Sequence, residues 1–110
     1  NGKIAVLSVL YNYGDKNQAL QLSWDKMPQA TNTETDLSQA ISLDDFYPEN
    51  KDYYNFEGSL TTPPCTEGVN WIVFKSQETV SKEQVEKFSQ TLGFENNRPI
   101  QDANSRKIKA

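Results

Sequence analysis

The sequence predicts a mainly β domain with a few short helices, an α+β architecture. Residues 4–11 and 69–74 are continuous apolar runs rich in β-branched residues, which is typical of buried strands. Helical apolar spacing recurs only over short stretches of the chain. The chain has 110 residues, about the size of one small domain, and contains no internal repeat or linker-like segment. We therefore predict one core and one domain.

Composition excludes several classes of protein. The chain carries 11 Lys and Arg against 15 Asp and Glu, a net charge of −4, without the clustered basic face that phosphate binding needs. We therefore expect no nucleic-acid partner. The longest apolar run, residues 4–10, is interrupted by Ser8 and is too short for a membrane span of about 20 residues. Two Trp, five Tyr and five Phe argue against disorder.

The first residues predict a strand that leaves a hairpin. Asn1-Gly2 is the dipeptide most favoured in a two-residue type I′ turn, and it leads at once into residues 4–11. That run predicts a central strand buried on both faces. We expect the first strand of this hairpin to lie in sequence that precedes Asn1.

Two short helical segments should follow. Asn17 or Asp15 can cap the first one, whose apolar face would contain Leu20, Trp24 and Met27. Residues 29–36 are polar and predict a loop. Ser42 should begin the second helical turn, in which Asp44 and Asp45 suit the positive end of the helix dipole.

The second half of the chain predicts two strands and the best-specified helix. Residues 53–56 are a strand candidate that Gly58 should end, and residues 69–74 form the second strong strand. Ser81 and Gln84 have the spacing of a capping box, and Gly93 suits the residue after the helix. The buried stripe of this helix should consist of Val85, Phe88 and Leu92.

The residue counts restrict the chemistry available to this chain. It contains no histidine, so it lacks both the commonest zinc ligand and the best proton-transfer group near pH 7. Cys65 is the only cysteine; it is either a small buried apolar residue or half of a disulfide to a partner elsewhere. A serine nucleophile at Ser59 would need Lys51 or Lys75 brought close as its base.

Carboxylates offer one further alternative. Asp44 and Asp45 are neighbours that a helix would point in different directions, so we expect a capping or surface role. Glu57 and Glu67 bracket a loop and could approach each other, which leaves open an acidic pair of the glycosidase type.

The loop between these glutamates has an unusual sequence, Gly-Ser-Leu-Thr-Thr-Pro-Pro-Cys-Thr-Glu-Gly at residues 58–68. Pro63 and Pro64 each fix a φ angle, and the residue before a proline is held away from the α region. This stiffness favours a loop that holds the hydroxyl and backbone N–H of Thr61 or Thr62 still. The alternative is a proline-stiffened crossover in a β domain.

Residues 53–71, Tyr-Tyr-Asn-Phe-Glu-Gly-Ser-Leu-Thr-Thr-Pro-Pro-Cys-Thr-Glu-Gly-Val-Asn-Trp, closely resemble the signature of the α-class carbonic anhydrases, most of all the exported bacterial branch. Residues 2–7, 80–85 and 97–101 also match the family's pattern. The resemblance covers essentially all of the chain, but only about the C-terminal half of the family's domain. It implies that residues 1–110 form the C-terminal portion of one domain, with part of a central twisted mixed β-sheet and short peripheral helices.

The resemblance implies the reversible hydration of carbon dioxide to bicarbonate and a proton. The family holds zinc through three histidines in its N-terminal half, and this chain starts just after the last of them. The zinc ligands are therefore expected from the missing N-terminal portion. This chain should be active only beside that complementary N-terminal fragment.

The resemblance also assigns roles to individual residues. Thr61 is similar to the family's gatekeeper, a catalytic residue whose hydroxyl and backbone N–H orient the reacting groups, and Thr62 to the adjoining hydroxyl that contacts bicarbonate. Cys65 resembles a cysteine that forms a disulfide with a partner outside this chain. Arg98 matches the family pattern and is expected to have a structural role. The apolar wall that receives carbon dioxide would comprise Leu60, Val6, Val69 and Trp71.

Two further expectations complete this interpretation. The family branch and Cys65 indicate a periplasmic or secreted protein. The sequence leaves a homodimer open. The alternative to an enzyme is a non-catalytic, carbonic-anhydrase-like binding module that lacks metal.

Overall fold

The computed structural model describes residues 2–110. The predicted Asn1-Gly2 hairpin turn includes Asn1, which lies outside the described residues, and Gly2 has a φ of +80°. The described part of the chain forms, in order, these elements: β1 (Ala5–Ser8), β2 (Tyr11–Tyr13), α1 (Gln18–Trp24), a 3₁₀ helix (Leu43–Phe46), β3 (Tyr53–Ser59), β4 (Glu67–Phe74), β5 (Glu78–Val80) and α2 (Lys82–Leu92).

The strands form two sheets. Strand β4 is the centre of a three-stranded mixed sheet, in which β1 pairs with it in parallel and β3 pairs with it antiparallel. Strands β2 and β5 form a separate two-stranded parallel sheet. The mainly β class and the mixed sheet that the sequence predicts are therefore confirmed.

The predicted strand at residues 4–11 is wrong in two respects. The run divides into β1 and β2, because the Leu10 carbonyl accepts a hydrogen bond of 3.0 Å from the Glu78 N–H and directs the chain toward β5. Strand β1 is also not buried on both faces: Val6 is half-buried, whereas Leu7 is 47% exposed. Within residues 2–110, β1 pairs only with β4 and so lies at an edge of its sheet.

The first two helical segments form where the sequence predicts them. Asn17 caps α1, and its side-chain oxygen accepts a hydrogen bond of 3.0 Å from the Leu20 N–H. Met27 lies beyond the end of this helix. Ser42 caps the 3₁₀ helix and accepts a hydrogen bond of 3.3 Å from the Asp44 N–H.

Helix α2 has the predicted ends but an unpredicted buried residue. The capping box of Ser81 and Gln84 is complete, and Gly93 ends the helix at a φ of 80°. The predicted stripe is only half-buried at all three of its positions: Val85, Phe88 and Leu92. Gln84 is instead the buried residue, at 5% exposure, because its side chain turns toward α1.

The core contains residues of β4 and β5. Val69, Phe74 and Val80 are its buried apolar residues, at 1%, 4% and 5% exposure. The rings of Trp24 and Phe88 stack with centroids 5.0 Å apart, which joins α1 to α2. Among the described residues, no helix combines the length and apolar character needed to cross a membrane.

Candidate functional site

The proline-rich loop closes the hairpin of β3 and β4. The Leu60 N–H donates a hydrogen bond of 2.9 Å to the Thr66 carbonyl, which joins the two ends of the loop. At the tip, the Cys65 N–H donates one of 2.8 Å to the Thr62 carbonyl across the cis Pro63–Pro64 bond. These bonds make the loop a compact turn.

The two threonines of this loop are open to solvent. Thr61 and Thr62 are both exposed, whereas Leu60 beside them is half-buried. A ligand approaching the tip of the hairpin therefore has access to both threonine side chains.

The hairpin carries a β-bulge next to the loop. Gly58 pairs with Val69 and Ser59 with Glu67, so Gly68 is an extra residue on β4. Gly68 has a φ of +80°, the left-handed conformation that this position of a G1 bulge requires and that glycine adopts without steric cost. A bulge bends the strand and strengthens its twist, so it sets the direction in which the loop leaves the sheet.

Three of the four residues predicted to line an apolar wall lie on one face of the sheet. The strand register places Val6 opposite Trp71, and Val69 lies two residues before Trp71 on β4. Because alternate residues of a strand face the same side, these three share a face. Phe56 belongs to it as well, and its ring lies nearly parallel to that of Trp71 with centroids 6.3 Å apart.

Gly58 does not end β3 as predicted, because the strand continues through it to Ser59. Gly58 remains paired with Val69, and the indole of Trp71 covers its α-carbon. A glycine inside a strand often marks such a close approach, and that signal was present in the sequence.

The start of the loop is held by contacts that sequence reasoning did not identify. The Trp71 Nε1–H donates a hydrogen bond of 2.9 Å to the Ser59 carbonyl. The Arg98 Nη1–H donates one of 2.6 Å to the Ser59 hydroxyl and a longer one of 3.4 Å to the Leu60 carbonyl. Arg98, for which a structural role is expected, therefore contacts the two residues that precede Thr61.

Glu57 and Glu67, the pair that left a glycosidase open, line one cleft of about 340 Å³. Arg98 and Arg106 line it as well, but no aromatic side chain does. Sugar-binding clefts rely on aromatic faces for stacking, and this one has none. The cleft therefore gives no support to the glycosidase alternative.

A Ser–Lys nucleophile is not assembled either. The ammonium groups of Lys51 and Lys75 lie against the rings of Tyr47 and Tyr54, 6.0 Å and 5.1 Å from their centroids. The hydroxyl of Ser59 instead accepts the Arg98 hydrogen bond.

Cys65 follows the cis bond and is half-buried, with a φ of 57°. Because the sequence contains no second cysteine, a disulfide at this position requires a partner from outside the chain.

The side chains of this chain do not fit a zinc centre. The sequence has no histidine, and residues 2–110 contain no group of three or more His, Cys, Asp or Glu side chains placed to hold a metal ion. Zinc sites in proteins use three or four such ligands.

Comparison with known proteins points to one family. The sequence model of the family described as eukaryotic-type carbonic anhydrase matches residues 1–110. A carbonic anhydrase of Neisseria gonorrhoeae is 44% identical over 108 residues, which are 98% of this chain and 42% of that protein. The chain thus spans less than half the length of this relative.

Solved structures agree with the sequence comparison. The α-carbonic anhydrase of Thermovibrio ammonificans, solved in complex with the inhibitor sulfanilamide, superposes with a TM-score of 0.93 at 48% identity. The match covers 97% of this chain and 47% of that one. The α-carbonic anhydrase of Photobacterium profundum has a TM-score of 0.88 at 39% identity, over 94% of this chain and 48% of that one.

Proposed function

Because this chain belongs to the eukaryotic-type carbonic anhydrase family, we propose that it takes part in the reversible hydration of carbon dioxide to bicarbonate and a proton. Its contribution is the substrate-orienting loop and an apolar surface beside that loop. One observation carries the proposal: the loop with the exposed Thr61 is attached, through the Ser59 carbonyl, to Trp71 of the apolar sheet face.

Thr61 is the residue to which we assign the orienting role. Its hydroxyl can donate and accept a hydrogen bond, and its backbone N–H can donate to an oxygen of the substrate. A donor held in place before the reaction stabilises developing negative charge without having to reorganise, which is the principle of an oxyanion hole. Thr62, exposed beside it, contacts the bicarbonate product in this proposal.

The apolar wall suits carbon dioxide because that molecule carries no net charge for an ion pair. Leu60, Val6 and Trp71 are half-buried, so each keeps accessible surface that a small apolar ligand can cover. Val69, on the same face, is 1% exposed and forms the buried part of this wall in the same proposal. A site of this kind combines an apolar lining with a few precisely placed polar groups.

The zinc of the family would be held by residues outside this chain, because its own side chains do not fit the metal. We propose that these residues belong to the part of the family domain that precedes the matched region. The chain is then the C-terminal portion of the domain, and it works only beside that complementary portion. The partial coverage of its relatives supports this arrangement.

A periplasmic or secreted location belongs to the same proposal. Several bacterial relatives are carbonic anhydrases, and a half-buried Cys65 with no cysteine partner in the sequence suits a disulfide formed in an oxidising compartment. The test is mass analysis of the natural protein with and without reductant. A cross-link at Cys65 is expected, and a free thiol there in protein from its native compartment would contradict it.

The function itself is tested on the natural protein that carries this sequence. We expect stopped-flow indicator measurements to show carbon dioxide hydration, elemental analysis to find about one zinc per domain, and a chelator to abolish the activity. The 110-residue chain alone should be inactive and should gain activity when the preceding portion is supplied. If the natural protein holds no zinc and shows no hydration, the proposal fails in favour of a non-catalytic binding module.

A further inference from the structure

We infer that Arg98 is a positioning residue for the reaction: it fixes the residue before Thr61 and thereby the placement of the Thr61 hydroxyl and N–H. The inference rests on the proposed function. It goes beyond the expected structural role of Arg98 by naming the group that the guanidinium holds in place.

The contacts of Arg98 converge on one point of the loop. Its Nη1–H lies 2.6 Å from the Ser59 hydroxyl and 3.4 Å from the Leu60 carbonyl, across 39 and 38 residues of sequence. The guanidinium is always charged, and hydrogen bonds from a charged donor are about twice as strong as neutral ones. Arg98 and Ser59 are both half-buried, so water competes less for this bond than at the surface.

The other polar groups at this point are engaged as well. The Ser59 carbonyl accepts from Trp71, and the Leu60 N–H donates to the Thr66 carbonyl. Those two bonds are made within the hairpin, whereas Arg98 reaches the loop from a distant segment. Thr61 therefore follows two residues, Ser59 and Leu60, that are held by Trp71, Thr66 and Arg98, and it precedes the turn that the Cys65 N–H closes.

The backbone of Arg98 is itself restricted. Pro99 follows it, and a residue before proline is held in the extended region. Few backbone conformations are then available at Arg98. Less backbone entropy is therefore lost when Arg98 is held in the position from which its side chain reaches Ser59.

Arg106 provides a matched control on the same surface. It lines the same cleft as Arg98, but its guanidinium donates to carbonyls outside the loop, those of Glu57 at 2.9 Å, Ala103 at 2.9 Å and Asp102 at 2.8 Å. Removing it deletes three hydrogen bonds without touching Ser59 or Leu60.

The experiment compares Arg98→Met, Arg98→Lys and Arg106→Met in the natural protein. Arg98→Met should lower kcat/KM for carbon dioxide hydration by about 10- to 100-fold, the scale expected when a reacting group is misplaced by about 1 Å. Arg98→Lys, which keeps one charged donor, should recover part of that loss. Arg106→Met should change kcat/KM by less than about twofold, even where it lowers the unfolding midpoint.

A second readout does not depend on activity. Hydrogen–deuterium exchange should become faster in peptides covering residues 60–66 of Arg98→Met, while exchange in α2 stays as in the unmodified protein. Should Arg98→Met fail to fold, Ser59→Ala removes the same hydrogen bond from the other side and should lower kcat/KM in the same direction. The double variant should lose no more than Arg98→Met alone.

The outcomes separate the inference from the proposed function. No hydration by the unmodified protein would overturn the function. An active unmodified protein whose Arg98→Met variant keeps its kcat/KM, or whose Arg106→Met variant loses as much, would overturn the positioning role alone. Unchanged exchange of the loop in Arg98→Met would overturn it too.

Discussion

The indole of Trp71 occupies the space in which a side chain on Gly58 would begin. A β-carbon placed on Gly58 would lie 2.8 Å from Cδ1 of Trp71 and 3.1 Å from its Nε1. The same Nε1–H donates the 2.9 Å bond to the Ser59 carbonyl. The glycine thus allows the indole to reach the strand that leads into the loop.

We predict that Gly58→Ala destabilises the protein. The added methyl group must displace a rigid ring, and overpacking of this kind costs about 1–3 kcal/mol. Urea unfolding of the natural protein measures the change in the free energy of unfolding. In a Trp71→Leu background the cost of Gly58→Ala should largely disappear, and an equal cost in both backgrounds would show that the indole is not its cause.

Gln84 should be the most sensitive polar residue of α2. Its side chain accepts from the Asn17 N–H at 2.9 Å, donates to the Asn17 carbonyl at 2.9 Å and donates to the Gln21 side chain at 3.0 Å. Gln84→Leu removes these three hydrogen bonds and leaves the Asn17 backbone groups and the Gln21 side chain without their partner. Buried groups left unpaired cost about 1–3 kcal/mol each, so we expect a loss of about 2–4 kcal/mol.

The control for this variant is Gln90→Leu on the same helix, where the side chain is exposed. Denaturant unfolding should show a change within about 0.5 kcal/mol for that variant. Similar losses at both positions would contradict the importance assigned to the contact between α1 and α2.

Thr61→Ala should reduce carbon dioxide hydration and leave stability almost unchanged. The variant removes an exposed hydroxyl, so the fold loses little, whereas loss of an orienting group of this type costs about 10²- to 10³-fold in rate. Stopped-flow rates and thermal unfolding are measured together on the natural protein. Thr66→Ala removes an exposed threonine from the same loop and should retain full activity. Equal hydration rates in Thr61→Ala and Thr66→Ala would contradict the orienting role of Thr61.

We predict that Tyr11 makes the folded protein less stable in strong alkali, as a fall in the free energy of unfolding. Burial of its phenol, reinforced by the nearby Glu78 carboxylate, raises its pKa in the folded protein above the ordinary value of about 10. Above pH of about 10 the unfolded chain therefore releases this proton before the folded one does, and stability falls as pH rises. Tyr11→Phe should flatten the dependence of stability on pH above about pH 10, and Glu78→Gln should flatten it in part. Unfolding curves as steep in Tyr11→Phe as in the unmodified protein would contradict this assignment.

The parts of the fold that were predicted from sequence are those set by neighbouring residues. The capping box of Ser81 and Gln84, the Asn17 cap and the Gly93 terminus all involve contacts within a few positions, so their spacing identifies them. The loop at residues 60–66 was identified by its two prolines and by its resemblance to a family signature.

The features that were missed depend on distant pairs. Strand β5 was not predicted because its three residues acquire strand geometry only by pairing with β2 across most of the chain. The burial of Gln84 and the contact between Arg98 and Ser59 join residues 67 and 39 positions apart, and no local pattern specifies such a partner. The burial predicted for residues 4–11 rested on hydrophobicity alone, which does not reveal which strands pair with β1: within residues 2–110 it pairs only with β4.

Arg98 and Arg106 hold the same strand at two nearby points, Ser59 and Glu57. The stretch between the two arginines is therefore tethered at both ends and lines a solvent-accessible cleft, and the turn at Asn104 and Ser105 lies next to its Arg106 end. A segment that is anchored at both ends tolerates a modification between the two anchors. The exposed turn at Asn104 and Ser105 is therefore a place where a fluorescent label can be attached while the strand beneath keeps its course.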